Sequence, residues 1–112
     1  MTMDIREERR EGILIVAPQG RVDSNSAGAF ETSVLGHATE ARLLIDLSGI
    51  EYISSAGLRV FLMLARKVKE AGGRLVLCGM GPSVRQVFDL AGFTALFAVE
   101  PTVAQAEARL SA

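Results

Sequence analysis

The sequence contains a single cysteine, Cys78, a single histidine, His37, and no tryptophan. One thiol cannot close a disulfide within the chain, and one thiol with one imidazole is too few ligands for a Cys/His metal site, so no cofactor is expected. The reducing cytoplasm is the expected setting. Aromatics make up only 5% of the residues, and a formal charge of -1 leaves no basic footprint for nucleic acid. No apolar run approaches the roughly 20 residues of a membrane span. The opening Met1–Gly12 is charged where a signal peptide needs an apolar stretch, which argues against export and membrane insertion. Proline is scarce, with 3 in 112 residues, and no linker, repeat or low-complexity tract interrupts the chain. What remains is 49% apolar and 22% charged residues, the composition of an ordinary globular protein, with one domain expected over 1–112.

Asp4 to Arg10 reads as an exposed, charged strand, Glu11-Gly12 as a turn, and the β-branched run Ile13 to Ala17 as a buried strand. The chain therefore opens with a hairpin. Gln19 to Ser26 is rich in turn formers and helix caps, and the spacing of Phe30, Val34 and Leu35 predicts a modest helix ending near Gly36. Arg42 to Leu47 is the next strand. Leu58, Phe61, Leu62, Ala65 and Val68 share one helical face, and Gly72-Gly73 stops that helix. Arg74 to Gly79 is a third interior strand, Pro82 opens a helix carrying Val84, Val87, Phe88 and Leu90, and Phe93 to Val99 is a short apolar segment. Thr102 to Leu110 is the final helix. Strands alternating with helices after a hairpin predict the α/β class, a mixed sheet with a parallel portion and about four helices.

In such sheets partners meet the loops at the carboxyl ends of the strands, where Asp46 to Ser55 falls. From Leu43 to Arg59 a buried strand ends, turns and passes into a helix that begins with two hydroxyls, Ser54 and Ser55. A serine there is either a plain N-cap or an exposed hydroxyl able to take a phosphoryl group, whose charge the positive helix end tolerates. Gly57 leaves the backbone open just inside that helix, which would let another molecule approach closely. The polar loop Asp23-Ser-Asn-Ser26 is either an N-cap for the first helix or, if the sheet brings it beside Ser55, a frame in which Asp23 and Asn25 select what approaches the hydroxyl. Opposite the core stripe of the middle helix, Val60, Met63 and Leu64 form a second apolar strip, bordered by Arg59, Arg66 and Lys67. Another helix of the same domain or a partner must cover it.

Other residues have plainer readings. Asp46 and Glu51 flank one turn without a histidine or metal ligand, so they cap and solubilise the loop rather than form an acid–base pair. Cys78 closes an apolar strand and reads as a small buried hydrophobe, and His37 follows a helix-ending glycine, facing the negative end of the dipole. Gly79-Met-Gly81 lacks the rest of a nucleotide-binding loop. A serine hydrolase built on Ser55 would need a base beside it, and the one histidine ends another helix. No catalytic residue is assigned.

Four blocks carry a family likeness: Gly20-Arg-Val-Asp23, Leu44 to Leu58 (LIDLSGIEYISSAGL), Gly72-Gly-Arg-Leu-Val-Leu77, and Val87-Phe-Asp-Leu-Ala-Gly-Phe93. Together they resemble the bacterial anti-sigma factor antagonists of the STAS superfamily, over nearly the whole chain. The resemblance implies a STAS fold and a non-enzymatic switch protein. Its unphosphorylated form would bind an anti-sigma factor that is also a serine kinase, freeing a sigma factor, and a serine phosphatase would reset it. By position Ser55 resembles the phosphoacceptor, Gly57 and Leu58 the following motif residues, and Asp23 the acid of the neighbouring loop. Ser54 stands where an aspartate often precedes the acceptor, so it could compete. The partner-binding residues expected on this basis are Asp23, Asn25, Ser54, Ser55, Gly57, Arg59, Val60, Met63 and Leu64. The alternative within the same fold is a scaffold or regulatory subunit, of a stressosome or a lipid-transport complex, that works by docking without phosphoryl cycling. A monomer is the default expectation, although nothing in the sequence specifies an oligomeric state.

Overall fold

The computed structural model describes residues 4–112, so the first three positions of the charged opening lie outside the described residues. Strands β1 (Asp4–Arg10) and β2 (Ile13–Val22) form the expected antiparallel hairpin. Glu11 and Gly12 join them at φ 51° and 79°, the left-handed pair that a tight two-residue turn needs if its twist is to match the strands. After α1 (Ala27–Leu35) come β3 (Arg42–Asp46), β4 (Ile50–Ile53) and α2 (Ser55–Glu70). Then follow β5 (Arg74–Cys78), α3 (Pro82–Leu90), a 3-10 turn at Thr94–Leu96, β6 (Ala98–Glu100) and α4 (Val103–Ser111). The sheet order is β1-β2-β3-β5-β6, with β4 pairing the outer half of β2, and every pairing after the hairpin is parallel. This is the mixed α/β architecture the element pattern predicts.

Helices cover both faces of the sheet, but unequally. Phe30 and Val34 of α1, Leu58, Phe61 and Leu64 of α2, and Val84 and Phe88 of α3 pack over Leu43, Ile45 and Leu77 on one face. On the other face, among the described residues, α4 alone lays Ala106 and Leu110 over Ile13, Ile15, Leu44, Val76 and Cys78. Successive strand side chains point to opposite faces, and both faces here are covered. Leu43, Leu44 and Ile45 are therefore all fully buried, which is why β3 reads as an unbroken apolar run. Burial pushes the Cys78 thiol up to about 12, which suits its reading as an inert small hydrophobe. His37 is held differently from expectation: its Nε2 lies 3.0 Å from Glu7 Oε2 on β1, so the ring ties α1 to the hairpin instead of facing the helix end alone.

Two further departures concern the same stretch of sheet. β2 does not end at Ala17 but continues through Pro18 and Gly20 to Val22, so half of the expected loop is strand. Pro18 falls between the β3 ladder, which ends at Val16, and the β4 ladder, which begins at Gly20, where a missing N–H costs least. Ile50–Ile53, expected as part of a turn, is strand β4. Its burial runs buried, exposed, exposed, buried, because the register slips between Gly20 and Arg21 of β2. A bulge of this kind erases the alternation by which a short strand is recognised.

Candidate partner-docking site

β4 brings the two polar segments together. Val22 of β2 lies opposite Ile53 of β4, and the Ser54 N–H donates to the Val22 carbonyl at 2.8 Å. Asp23 and Ser54 are the next residues out of two neighbouring strands, so the Asp23–Ser26 loop and the head of α2 share one end of the sheet.

The two serines divide the cap and the free hydroxyl between them. Ser54 is extended, at φ −91° and ψ 173°, and its Oγ accepts the Gly57 N–H at 3.2 Å. It is the N-cap, and it is half-buried. Ser55 is the first helical residue and is exposed. Because Ser54 does the capping, the Ser55 hydroxyl is left at the positive end of α2 without that duty.

Gly57 does not serve the purpose expected of it. A Cβ at this position would meet Val22 Cγ1 at 2.7 Å and Ile53 Cγ1 at 2.8 Å, closer than packed carbons come. The close approach is internal: glycine lets the first turn of α2 rest directly on the β2–β4 pair, and it is buried there. Val60 and Leu64 also turn inward, at 3% and 0% exposure, within the cluster that contains Phe30 and Val34 of α1. The second apolar strip is thus covered by α1, since a helix wedged between a sheet and another helix must be apolar toward both. Of the helix residues expected to face a partner, Ser55 and Arg59 are exposed and Met63 is half-buried, whereas Gly57, Val60 and Leu64 are unavailable. Between the starts of α1 and α2 lies a shallow groove of about 150 Å³, lined by Ala27, Gly28, Glu31, Ala56, Arg59 and Val60. The small residues leave the gap, and Glu31 and Arg59 charge its walls with opposite signs.

Asp23 organises its own loop. Its Oδ1 accepts the N–H groups of Asn25 at 2.9 Å and Ser26 at 3.1 Å. These backbone bonds, first Asn25 and then Ser26, hold its carboxyl below the ordinary value of 3.8, with smaller help from the Ser26 hydroxyl and nearby Arg21. The buried Ser26 hydroxyl donates to the Arg21 carbonyl at 2.6 Å and accepts the Asp23 N–H at 3.0 Å. Ser26 precedes α1 but makes no side-chain cap bond to it. Asp23 does the capping, since its carbonyl also accepts the Ala27 N–H at 2.8 Å as the turn enters α1, so the capping reading of this loop holds at Asp23 and not at Ser26. Asn25 stays exposed.

Arg21 and Tyr52 were not anticipated. They are cross-strand neighbours on β2 and β4, with the guanidinium 4.5 Å from the ring centroid, and Tyr52 is 41% exposed. Such a stacked pair beside Ser54 is a rigid amphipathic surface suited to contact. Only the pairing with β4 juxtaposes these residues, which are far apart in sequence.

The sequence profile of the STAS domain family matches residues 4–106. The chain belongs to the STAS domain family. It is 39% identical over 99 residues to BtrV of Bordetella bronchiseptica, whose name places it among the anti-sigma factor antagonists, with 87% of this chain and 85% of that protein covered. An anti-sigma F factor antagonist of Paenibacillus polymyxa is 26% identical over 105 residues, covering 90% and 86%. The crystal structure of an anti-sigma factor antagonist from Mycobacterium paratuberculosis matches with a TM-score of 0.89 at 25% identity, over 98% of this chain and 95% of that one.

In this STAS domain Asp46 caps its turn, as expected, its Oδ1 accepting the Ser48 N–H at 3.0 Å, and Glu51 points to solvent. Among the described residues no group of three or more His, Cys, Asp or Glu side chains could hold a metal ion, and no helix is long and apolar enough to cross a membrane.

Proposed function

We propose that this STAS domain is an anti-sigma factor antagonist whose docking to an anti-sigma factor is switched off by phosphorylation of Ser55. The observation that carries the reading is the division of labour between the serines: Ser54 caps α2, and Ser55 offers an exposed hydroxyl one residue on. The phosphoryl donor is ATP bound to a partner with serine kinase activity. The Ser55 Oγ–P bond forms as the bond to ADP breaks, and the hydroxyl proton passes to the kinase. A phosphatase returns the serine by hydrolysis.

The physical logic separates fold from interface. A phosphoserine carries about −1.5 to −2 charges at neutral pH, and the helix N-terminus accommodates them. Arg59, exposed one turn along the same face, adds a countercharge. The fold therefore survives. A partner that desolvates Ser55, Asn25 and the Arg21–Tyr52 pair would instead have to bury the phosphate, and about 2.8 kcal/mol of penalty weakens binding a hundredfold.

Phosphopeptide mapping after incubation with the partner kinase and ATP tests the acceptor. Phosphate is expected on Ser55 in the wild type and in Ser54→Ala, and absent from Ser55→Ala, which still binds. Ser55→Asp is expected to bind about a hundredfold more weakly, by the same penalty. Phosphate on Ser54 alone, or unweakened binding by Ser55→Asp, overturns the proposal.

A further inference from the structure

The charged edge strand β1 carries a pattern unrelated to the Ser55 site. β1 ends the strand order, six of its residues are exposed, and no described strand pairs with its outer side. Its side chains divide by face. Ile5 packs against the three-helix core, Glu7 contacts His37 and Arg9 bonds Glu40 at 2.8 Å. Asp4, Arg6, Glu8 and Arg10 therefore occupy the other face, where Arg10 meets Glu107 of α4 at 2.9 Å. Along that face the charges alternate in sign.

Charged edge strands commonly discourage pairing with other chains, but the order of signs decides which pairings are discouraged. In an antiparallel pair of two identical strands only side chains on the same face can stand opposite each other. A two-fold axis through Glu7 sets Asp4 opposite Arg10 of the second copy and Arg6 opposite its Glu8, each combination occurring twice. The neighbouring registers are repulsive. One sets Arg6 against Arg6 and Asp4 against Glu8; the other sets Arg6 against Arg10 and Glu8 against Glu8. On the opposite face the favoured register places Ile5 beside Arg9 and Glu7 beside Glu7, each Glu7 already sharing a hydrogen bond with its own His37.

We propose that β1 docks antiparallel against β1 of a second copy, centred on Glu7, so that two sheets join into one. Unpaired backbone groups of the edge supply the hydrogen bonds, and the alternating row supplies register. A contact confined to one seven-residue strand falls in the weak, transient class below about 1,200 Å². It leaves Ser55 free, because no residue of that site lies on β1.

Sedimentation velocity over a concentration series reaching about 1 mM, the weak end of the affinity scale, tests the contact. Wild type is expected to dimerise with rising concentration, and Ser55→Asp to do the same. The double variant Arg6→Glu/Arg10→Glu makes the row wholly negative, and Asp4→Arg/Glu8→Arg makes it wholly positive. Each is expected to stay monomeric alone, and an equimolar mixture to dimerise. Circular dichroism checks folding, since Arg10 also pairs with Glu107 inside the chain. Should a double variant unfold, Arg6→Glu alone loses only an exposed 3.8 Å contact with Asp4 and must still weaken dimerisation. A monomeric wild type, a dimer indifferent to these reversals, or a folded mixture that stays monomeric overturns the proposal.

Discussion

At the scale of single residues, adjacent serines in similar surroundings do different work. Ser54 uses its hydroxyl to close the α2 N-terminus, and Ser55 does not. Ser54→Ala is expected to cost about 1 kcal/mol in urea unfolding, and Ser55→Ala no more than about 0.5 kcal/mol. Equal losses would contradict the assignment of the cap. Asp23 supplies a pH test. Its carboxyl sits below 3.8 in the folded chain, so its contribution to stability is complete above the unfolded value and is lost as the pH falls through the lowered folded one. Asp23→Asn is therefore expected to be less stable than wild type at pH 7, with the gap narrowing in acid. Paired urea titrations at neutral and acid pH would show it. Gly57 illustrates what a residue's identity does not convey: its presence near a helix start was legible, but the atoms that demand it, on Val22 and Ile53, arrive from other strands.

At the scale of elements, α4 is the one helix among the described residues on its face of the sheet, and Arg74 of β5 fastens its end. The guanidinium donates to the carbonyls of Arg109 at 2.8 Å, Ala112 at 3.1 Å and Leu110 at 3.2 Å. These are carbonyls that a helix C-terminus leaves without partners. Arg74→Ala is expected to lower stability by about 1–3 kcal/mol and to raise amide exchange in α4 before other helices. Uniform acceleration of exchange would show that Arg74 is not a local fastener. Long elements with clear periodicity were legible: α2 is predicted from its apolar face and glycine stop, and its core residues Leu58, Phe61 and Val68 are buried as expected. β4 was not. Four residues with buried ends and an exposed middle match neither the period of a strand nor that of a helix.

At the scale of the whole molecule, two hydrophobic clusters share the central strands. Phe88 belongs to one face and Leu110 to the other, and β2, β3 and β5 contribute to both. Phe88→Ala and Leu110→Ala are expected to cost about 3–5 and 2–5 kcal/mol respectively, each shifting one common urea transition. Two resolved transitions in either variant would show that the faces unfold separately. The residues by themselves determined the α/β class, the hairpin, the interior strands and the helices, because burial on one or both faces imposes local periods that a linear sequence displays. They also determined that a pair of hydroxyls opens α2. Which hydroxyl caps the helix, which loop lies beside it, and whether Val60 and Leu64 face a partner or α1 depended on β4 pairing with β2 and on α1 packing against α2. Those contacts join segments remote along the chain, and residue spacing records no distance between segments that meet only after folding.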